Sequence, residues 1–158
     1  MNDNQIPPAG EPVGAALQHP AGPPERILVV DDDPDARRLV TEALVAAGYG
    51  VDSAKDGAHA WGTLQYNTYD LLITDNSMPK MTGIELLKSL RAARMVLPVI
   101  MATGILPTHE FAQSPWLIPD ATLVRPFTMD ELLRKVRTVL SASDSPRAQI
   151  NPTPNQES

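Results

Sequence analysis

RILVVDDD, at residues 26–33, places a short apolar run rich in β-branched side chains directly before three aspartates. Ile and Val favour extended strands because their branched side chains pack well on a pleated surface. The run therefore predicts a strand over residues 26–30, with Asp31, Asp32 and Asp33 at its carboxyl end. Asp33 also precedes Pro34, and this pair is typical of the start of a helix.

Strand-like and helix-like segments alternate along the chain after this first strand. Apolar residues at helical spacing predict a helix over residues 35–47, with an inward face made of Leu39, Val40, Ala43, Leu44 and Ala47. Further strands are predicted at residues 51–54, 71–75, 98–102 and 121–124, and further helices at residues 58–65, 83–93 and 128–140. Thr128 and Glu131 form a capping box at the start of the last helix. Short connections and right-handed crossovers then predict an α/β fold, a parallel sheet with helices on both faces.

The fourth helix should lie between residues 104 and 120, and this segment fits the pattern poorly. Prolines at positions 107, 115 and 119 leave room for only one or two turns, near residues 109–114. We therefore expect this helix to be short or distorted. Phe111 and Trp116 lie in the segment, where they either anchor it to the core or, if exposed, mark a docking site.

The two ends of the chain differ in composition from its middle. Residues 1–24 contain six prolines and no Lys or Arg, and residues 141–158 combine Pro with Ser, Asn and Gln. Such segments bury too little apolar surface to offset their conformational entropy. We predict disordered tails at 1–24 and 141–158 around one domain at 25–140, with no DNA-binding or catalytic domain after Leu140.

Composition and charge exclude several classes of function. The chain has no cysteine, which excludes disulfides, thiolate metal sites and thiol nucleophiles. Its formal charge of -6 opposes attraction to nucleic acid and to anionic lipid, and no apolar run approaches the length of a membrane span. We expect a soluble cytoplasmic protein with an aliphatic core, whose partners are proteins, phosphate donors and cations.

Candidate functional side chains follow the predicted strands. In open parallel sheets ligands lie beyond the carboxyl ends of the strands, and here those ends carry Asp31 and Asp32, Asp75, Thr103 and Arg125. If the first and third strands are neighbours, three carboxylates converge, and two carboxylates about 4 Å apart repel by roughly 4 kcal/mol at an effective dielectric of about 20. A divalent cation relieves this repulsion, and oxygen-only ligands suit Mg²⁺. Thr103 and Arg125 could bind the oxygens of a phosphoryl group.

Four short segments, in this order, resemble the receiver domain of two-component response regulators. They are ILVVDDD at residues 27–33, LLITDNSMPKMTG at 71–83, MATG at 101–104 and VRPF at 124–127. The resemblance covers residues 25–140 and implies a CheY-like, flavodoxin-like fold, in which a doubly wound five-stranded parallel sheet has the strand order 2-1-3-4-5.

The resemblance also implies a role for each candidate residue. Asp75 is the expected phosphoacceptor, Asp32 binds Mg²⁺ directly, Asp31 assists partly through water, and the backbone carbonyl of Ser77 completes the protein ligands. Thr103 moves toward the phosphoryl group on activation. The family further implies a signalling switch rather than an enzyme, which is phosphorylated by a histidine kinase or phosphotransfer protein and acts on a downstream protein.

Two positions depart from the family pattern. Receivers almost always have Lys where this chain has Arg125, whose guanidinium keeps the positive charge but is planar and bulkier. Two interpretations of Arg125 stay open, a partner of the phosphoryl group or an ion pair with the aspartates. Many members have an aromatic switch residue where this chain has Thr122, so coupling of Thr103 to a ring flip is not expected.

Other functions fit the sequence less well. The aspartates after the first strand could merely cap a helix, and the whole domain could be a receiver that does not use phosphate and serves as a constitutive interaction module. A flavin carrier would need a Ser, Thr or Gly-rich loop where this chain has three acids. A phosphatase would need a second acid at position 77, where this chain has serine.

Overall fold

The computed structural model describes residues 23–143, so most of the tails predicted at 1–24 and 141–158 lies outside the described residues. Strands and helices alternate throughout this part of the chain, as predicted. The strands are β1 (Arg26–Val30), β2 (Gly50–Ala54), β3 (Leu71–Thr74), β4 (Val99–Thr103) and β5 (Ala121–Val124). The helices are α1 (Pro34–Ala46), α2 (Gly57–Tyr66), α3 (Gly83–Ala92), α4 (Thr108–Gln113) and α5 (Met129–Ser143). None of these helices is both long and apolar enough to cross a membrane.

The five strands form one sheet in the order β2-β1-β3-β4-β5, and every neighbouring pair is parallel. The predicted doubly wound parallel sheet is therefore confirmed. β1 lies beside β3, with Ile27 opposite Leu71 and Val30 opposite Thr74. This register places the residues that follow Val30 and Thr74 next to each other at the carboxyl edge.

Each face of the sheet has its own apolar core, because successive residues of a strand point to opposite faces. One core joins the sheet to α2 and α3, and it is formed mainly by Leu28, Val30, Leu72, Leu86, Leu87 and Leu90. The other joins the sheet to α1 and α5, and it is formed mainly by Ile27, Val29, Ile73, Leu44, Leu132 and Val136. Both cores are aliphatic, as the composition predicts, and together they fix the central strands rigidly.

Helix α1 corrects one prediction. Val40 and Leu44 are buried, but Leu39 is 56% exposed and does not belong to the inward face. Successive residues of a helix point about 100° apart, so Leu39 points away from the side of α1 on which Val40 and Leu44 face the sheet. Asp33 accepts a hydrogen bond from the backbone N–H of Asp35, which confirms it as the N-cap.

The segment after β4 confirms the prediction of a short fourth helix. Helix α4 has six residues, none of them buried, and a single 3₁₀ turn at Pro115–Leu117 follows it. Leu117 is buried and Phe111 packs partly against the core, whereas Trp116 is 57% exposed and does not anchor the segment. Side chains of a 3₁₀ turn point about 120° apart, so Trp116 and Leu117 cannot both face inward.

Helix α5 begins with the predicted capping box. The backbone N–H of Glu131 donates to the Thr128 hydroxyl over 3.0 Å, and the backbone N–H of Thr128 donates to the Glu131 carboxylate over 2.8 Å. The helix continues to Ser143, three residues past the predicted end of the domain.

Candidate functional site

Asp31 and Asp75 lie side by side at the carboxyl edge of the sheet. The backbone N–H of Asp75 donates to the carbonyl of Val30 over 3.1 Å, so the ladder between β1 and β3 continues past the last strand residues. On the other side, the backbone N–H of Asp31 donates to the carbonyl of Ala54 over 3.2 Å. Backbone hydrogen bonds to neighbouring strands thus fix where both carboxylates emerge.

Three carboxylates meet at this edge. Asp31, Asp32 and Asp75 can each offer one oxygen, and the three oxygens lie within 4.8 Å of one another. Asp31 and Asp75 are buried, with 4% and 8% of their surface exposed, whereas Asp32 is open to solvent. The predicted convergence of carboxylates from two separate strands is confirmed.

The donor set suits a hard divalent cation. It contains only oxygen ligands, two of its residues are buried, and its open side at Asp32 leaves room for water or a phosphate oxygen. Mg²⁺ binds through one or two carboxylates and keeps several waters, so these residues fit that ion. Ser77, whose carbonyl is the fourth predicted ligand, lies two residues after Asp75 in the exposed part of the loop between β3 and α3.

Arg125 reaches into the carboxylate cluster from the end of β5. One guanidinium nitrogen lies 2.5 Å from Asp31 Oδ2, and another lies 3.5 Å from Asp75 Oδ1. Of the two interpretations of Arg125, the structure displays the ion pair with the aspartates. The Arg125–Pro126 peptide bond is cis, and the backbone N–H of Arg125 donates to the Thr103 carbonyl over 3.0 Å.

The environment of Asp31 changes its acidity. Burial raises the pKa of this carboxyl above its ordinary value, because the charged form loses hydration. A hydrogen bond from the Asp33 backbone and the charge of Arg125 oppose the change in pKa, and the nearby Asp75 carboxylate adds to it. The site therefore holds negative charge that its own side chains only partly compensate.

Thr103 is almost fully buried at the end of β4. Its carbonyl accepts a hydrogen bond from the backbone N–H of Arg125. The adjacent ends of β4 and β5 therefore carry the two predicted phosphoryl-binding side chains, Thr103 and Arg125. A methyl group added at the next residue, Gly104, would meet no atom within 4 Å. The space beside Thr103 is therefore open.

Two residues whose importance is not evident from the sequence are Asn76, in the loop between β3 and α3, and Gly83, the first residue of α3. Asn76 donates its backbone N–H to Asp75 Oδ1 over 2.7 Å, and its side chain accepts from the backbone N–H of Ile84 over 2.9 Å. Gly83 is packed so closely that an added Cβ would lie 2.4 Å from the carbonyl oxygen of Asp75. Asn76 and Gly83 therefore tie the start of α3 directly to the backbone and carboxylate of Asp75.

A signal for this contact exists in the sequence. Thr82 and Glu85 form a capping box, with hydrogen bonds of 3.1 and 2.8 Å, that fixes where α3 begins. A small residue directly after such a cap indicates that another backbone approaches closely. The spacing from Asp75 to Thr82 alone does not show which backbone that is.

Comparison with known proteins agrees with this geometry. The family model for the response regulator receiver domain matches residues 27–137. The chain belongs to the response regulator receiver family. Response regulator RppA of Synechocystis is 35% identical over 127 residues, which cover 79% of this chain and 54% of the relative. Transcriptional regulatory protein CusR of Escherichia coli is 31% identical over 115 residues, which cover 73% of this chain and 51% of the relative. This receiver chain thus spans about half the length of the curated relatives it matches.

Solved receiver structures share the fold. The receiver domain of the Francisella response regulator 1452 superimposes with a TM-score of 0.70 at 29% identity, covering 76% of this receiver and 99% of that chain. TrrA of Thermotoga maritima, solved in complex with Mg(2+)-BeF, gives a TM-score of 0.65 at 35% identity, covering 73% and 98%.

Proposed function

We propose that this receiver is a phosphorylation switch in which Asp75 accepts a phosphoryl group in a Mg²⁺-dependent reaction and changes how the domain binds other proteins. The observation that carries the proposal is the meeting of Asp31, Asp32 and Asp75 at one sheet edge, with buried Thr103 and Arg125 at the neighbouring strand ends. Water alone would stabilise exposed carboxylates at a sheet edge. Two buried carboxylates beside a third repel one another and need a cation.

Mg²⁺ would be held by Asp31, Asp32, Asp75 and the backbone carbonyl of Ser77. The bound ion would stabilise negative charge on the oxygens of the transferring phosphoryl group. One carboxylate oxygen of Asp75 forms a bond to phosphorus while the bond from phosphorus to the donor breaks, and the donor atom keeps the electron pair. The N–H of Asn76 holds Asp75 Oδ1, which limits rotation of the nucleophile. The backbone hydrogen bond from Asp75 to Val30 fixes the backbone of this residue beside β1.

Thr103 and Arg125 act after the transfer in this proposal. The Thr103 hydroxyl donates to one phosphoryl oxygen, and the Arg125 guanidinium pairs with another. Thr103 ends β4, and a loop at residues 104–107 joins it to α4, so a shift of its side chain would change the surface formed by this loop and helix. Because Thr122 stands where an aromatic switch is usual, this shift would act through the backbone of β4 and β5 rather than through a ring.

The proposed partners are proteins. The phosphoryl donor is a histidine kinase or phosphotransfer protein, the receiver is not itself an enzyme acting on other substrates, and the target downstream is a protein in the cytoplasm. The formal charge of -6 supports a protein over nucleic acid as the direct partner, since DNA and RNA repel it.

The test is incubation of the protein with acetyl phosphate, with Mg²⁺ or with a chelator, followed by intact-mass spectrometry. The proposal predicts the addition of one phosphoryl group that requires Mg²⁺ and that disappears in Asp75→Asn. No mass gain, or a gain that survives Asp75→Asn, would contradict it. Beryllofluoride, an analogue of the phosphoryl group, should also shift NMR signals near Thr103, and unchanged spectra would favour the constitutive interaction module instead.

A further inference from the structure

Arg125 already places a positive charge where the site needs a cation. Its guanidinium contacts Asp31 and Asp75 at once, with nitrogen to oxygen distances of 2.5 and 3.5 Å. Only 6% and 9% of the two aspartate side chains is exposed, so water screens these ion pairs weakly. A fixed side chain therefore performs part of the charge compensation expected of the metal ion.

The contacts of Asp31 leave few free acceptor positions. Its Oδ1 accepts the backbone N–H of Asp33 over 3.0 Å, and its Oδ2 accepts the Arg125 guanidinium. Asp75 Oδ1 likewise accepts the N–H of Asn76 and faces the same guanidinium. A cation, or a water bound to it, that approaches Asp31 Oδ2 must share or displace Arg125.

Arginine suits this competition better than lysine. Its planar fork carries several donors in fixed positions and can bond two carboxylates simultaneously, whereas an ammonium group is a point charge on a flexible stem. The three carboxylates and one guanidinium still leave two negative charges uncompensated. Arg125 thus lowers the affinity for a divalent cation without removing the need for one.

We propose that Arg125 is a positioning residue that competes with Mg²⁺ for Asp31 and Asp75, so that metal binding releases its guanidinium toward the incoming phosphoryl group. The inference rests on the proposed function, because it assumes that the cluster binds Mg²⁺. It adds that Arg125 sets the Mg²⁺ concentration that phosphorylation of Asp75 requires.

The test is isothermal titration of Mg²⁺ into four unphosphorylated proteins: the wild type, Arg125→Met, Arg125→Lys and Arg134→Met. Arg134 lies exposed on α5, so Arg134→Met controls for the loss of one positive charge. Arg125→Met removes the charge-assisted hydrogen bond through which the guanidinium competes with Mg²⁺. The Kd for Mg²⁺ should therefore be about tenfold lower in Arg125→Met than in Arg134→Met. Arg125→Lys should give an intermediate Kd, because a strongly hydrated ammonium group on a flexible stem keeps the charge but holds the two carboxylates less rigidly than a planar guanidinium.

Equal Kd values in Arg125→Met and Arg134→Met, or weaker binding in Arg125→Met, would overturn the inference while leaving the metal site itself in place. Absence of Mg²⁺ binding in all four proteins would overturn both the inference and the metal dependence of the proposed function. A second measurement needs no substitution. In the wild type, the NMR signals of the Arg125 side chain should shift during the Mg²⁺ titration, and signals that do not move would contradict the competition even if the variants do not fold.

Discussion

The two ends of the central strands both place an arginine among aspartates, yet the two clusters differ in burial. At the amino end, Arg26 forms an ion pair with Asp52, and each of these side chains is 45% exposed. The Asp52 carboxylate also accepts a hydrogen bond from the Tyr69 hydroxyl over 2.6 Å. At the carboxyl end, Arg125 meets aspartates that are nearly inaccessible.

This difference separates a structural cluster from the candidate functional one. Exposed ion pairs contribute little to stability and need no further partner, because water compensates any remaining charge. Buried carboxylates in excess of their counter-ions stay costly until a cation arrives. The amino-end cluster is therefore a minor surface contact between β1, β2 and Tyr69, whereas the carboxyl-end cluster is a candidate cation site.

The largest expected effect comes from the backbone contact that supports the functional cluster. In Gly83→Ala the new methyl group would collide with the Asp75 carbonyl, so we expect a loss of roughly 3 kcal/mol in the free energy of unfolding and impaired phosphorylation. Urea unfolding and intact-mass spectrometry measure the two effects. Gly62→Ala is the matched control, because an added Cβ there meets nothing within 4 Å and should stabilise α2 slightly. Similar stability changes in the two variants would show that Gly83 does not tie α3 to Asp75.

The arginines at the two ends should differ in their contribution to stability without Mg²⁺. Arg125→Met leaves buried carboxylates uncompensated and should lower the free energy of unfolding by about 2 kcal/mol. Arg26→Met breaks a half-exposed pair and should lower it by less than about 1 kcal/mol. Mg²⁺ should stabilise both variants, since both keep the three carboxylates, but it should reduce the deficit relative to the wild type only in Arg125→Met. If both variants lost the same amount and Mg²⁺ rescued neither, the contrast between the two clusters would not hold.

Much of the fold and the acidic centre of the site follow from the sequence. Short unbroken apolar runs such as residues 71–73 are typical of buried strands, and parallel strands bring their carboxyl ends to one edge. The convergence of Asp31 and Asp75 is then a consequence of β1 lying beside β3. Prolines set the length of α4 through the backbone alone, so that feature is predictable too.

Features that depend on the rotation of one element against another do not follow from the sequence. Periodicity cannot decide whether Leu39 or its neighbours face the sheet, nor whether Trp116 or Leu117 fills the core under the 3₁₀ turn. The place of the Arg125 guanidinium depends on side-chain torsions and on the backbone at the end of β5. The contact of Gly83 with Asp75 depends on the path of a whole loop.

The smallest expected effect concerns pH at the amino end. Burial and the hydrogen bond to Asp52 raise the pKa of Tyr69 to about 12, above that of the unfolded chain. The unfolded state then loses its proton first, so this group's contribution to stability is complete below about pH 10 and is lost as pH rises toward 12. In Tyr69→Phe the free energy of unfolding should be about 1 kcal/mol lower at neutral pH and should fall less steeply between these pH values. Tyr66→Phe, at an exposed tyrosine, is the control, and an equal alkaline slope in wild type and Tyr69→Phe would contradict the assignment.

The most direct test of the central claim is the change that Mg²⁺ produces in the urea midpoint of unfolding for the wild type, Asp32→Asn and Asp52→Asn. A ligand that binds only the folded state stabilises it by RT ln(1 + c/Kd), where c is the free ligand concentration, so tighter binding gives a larger shift of the midpoint. If the carboxyl-end carboxylates share one cation, Mg²⁺ should stabilise the wild type and Asp52→Asn equally and Asp32→Asn much less. No stabilisation of the wild type, or equal stabilisation of all three proteins, would contradict a metal site at the ends of β1 and β3.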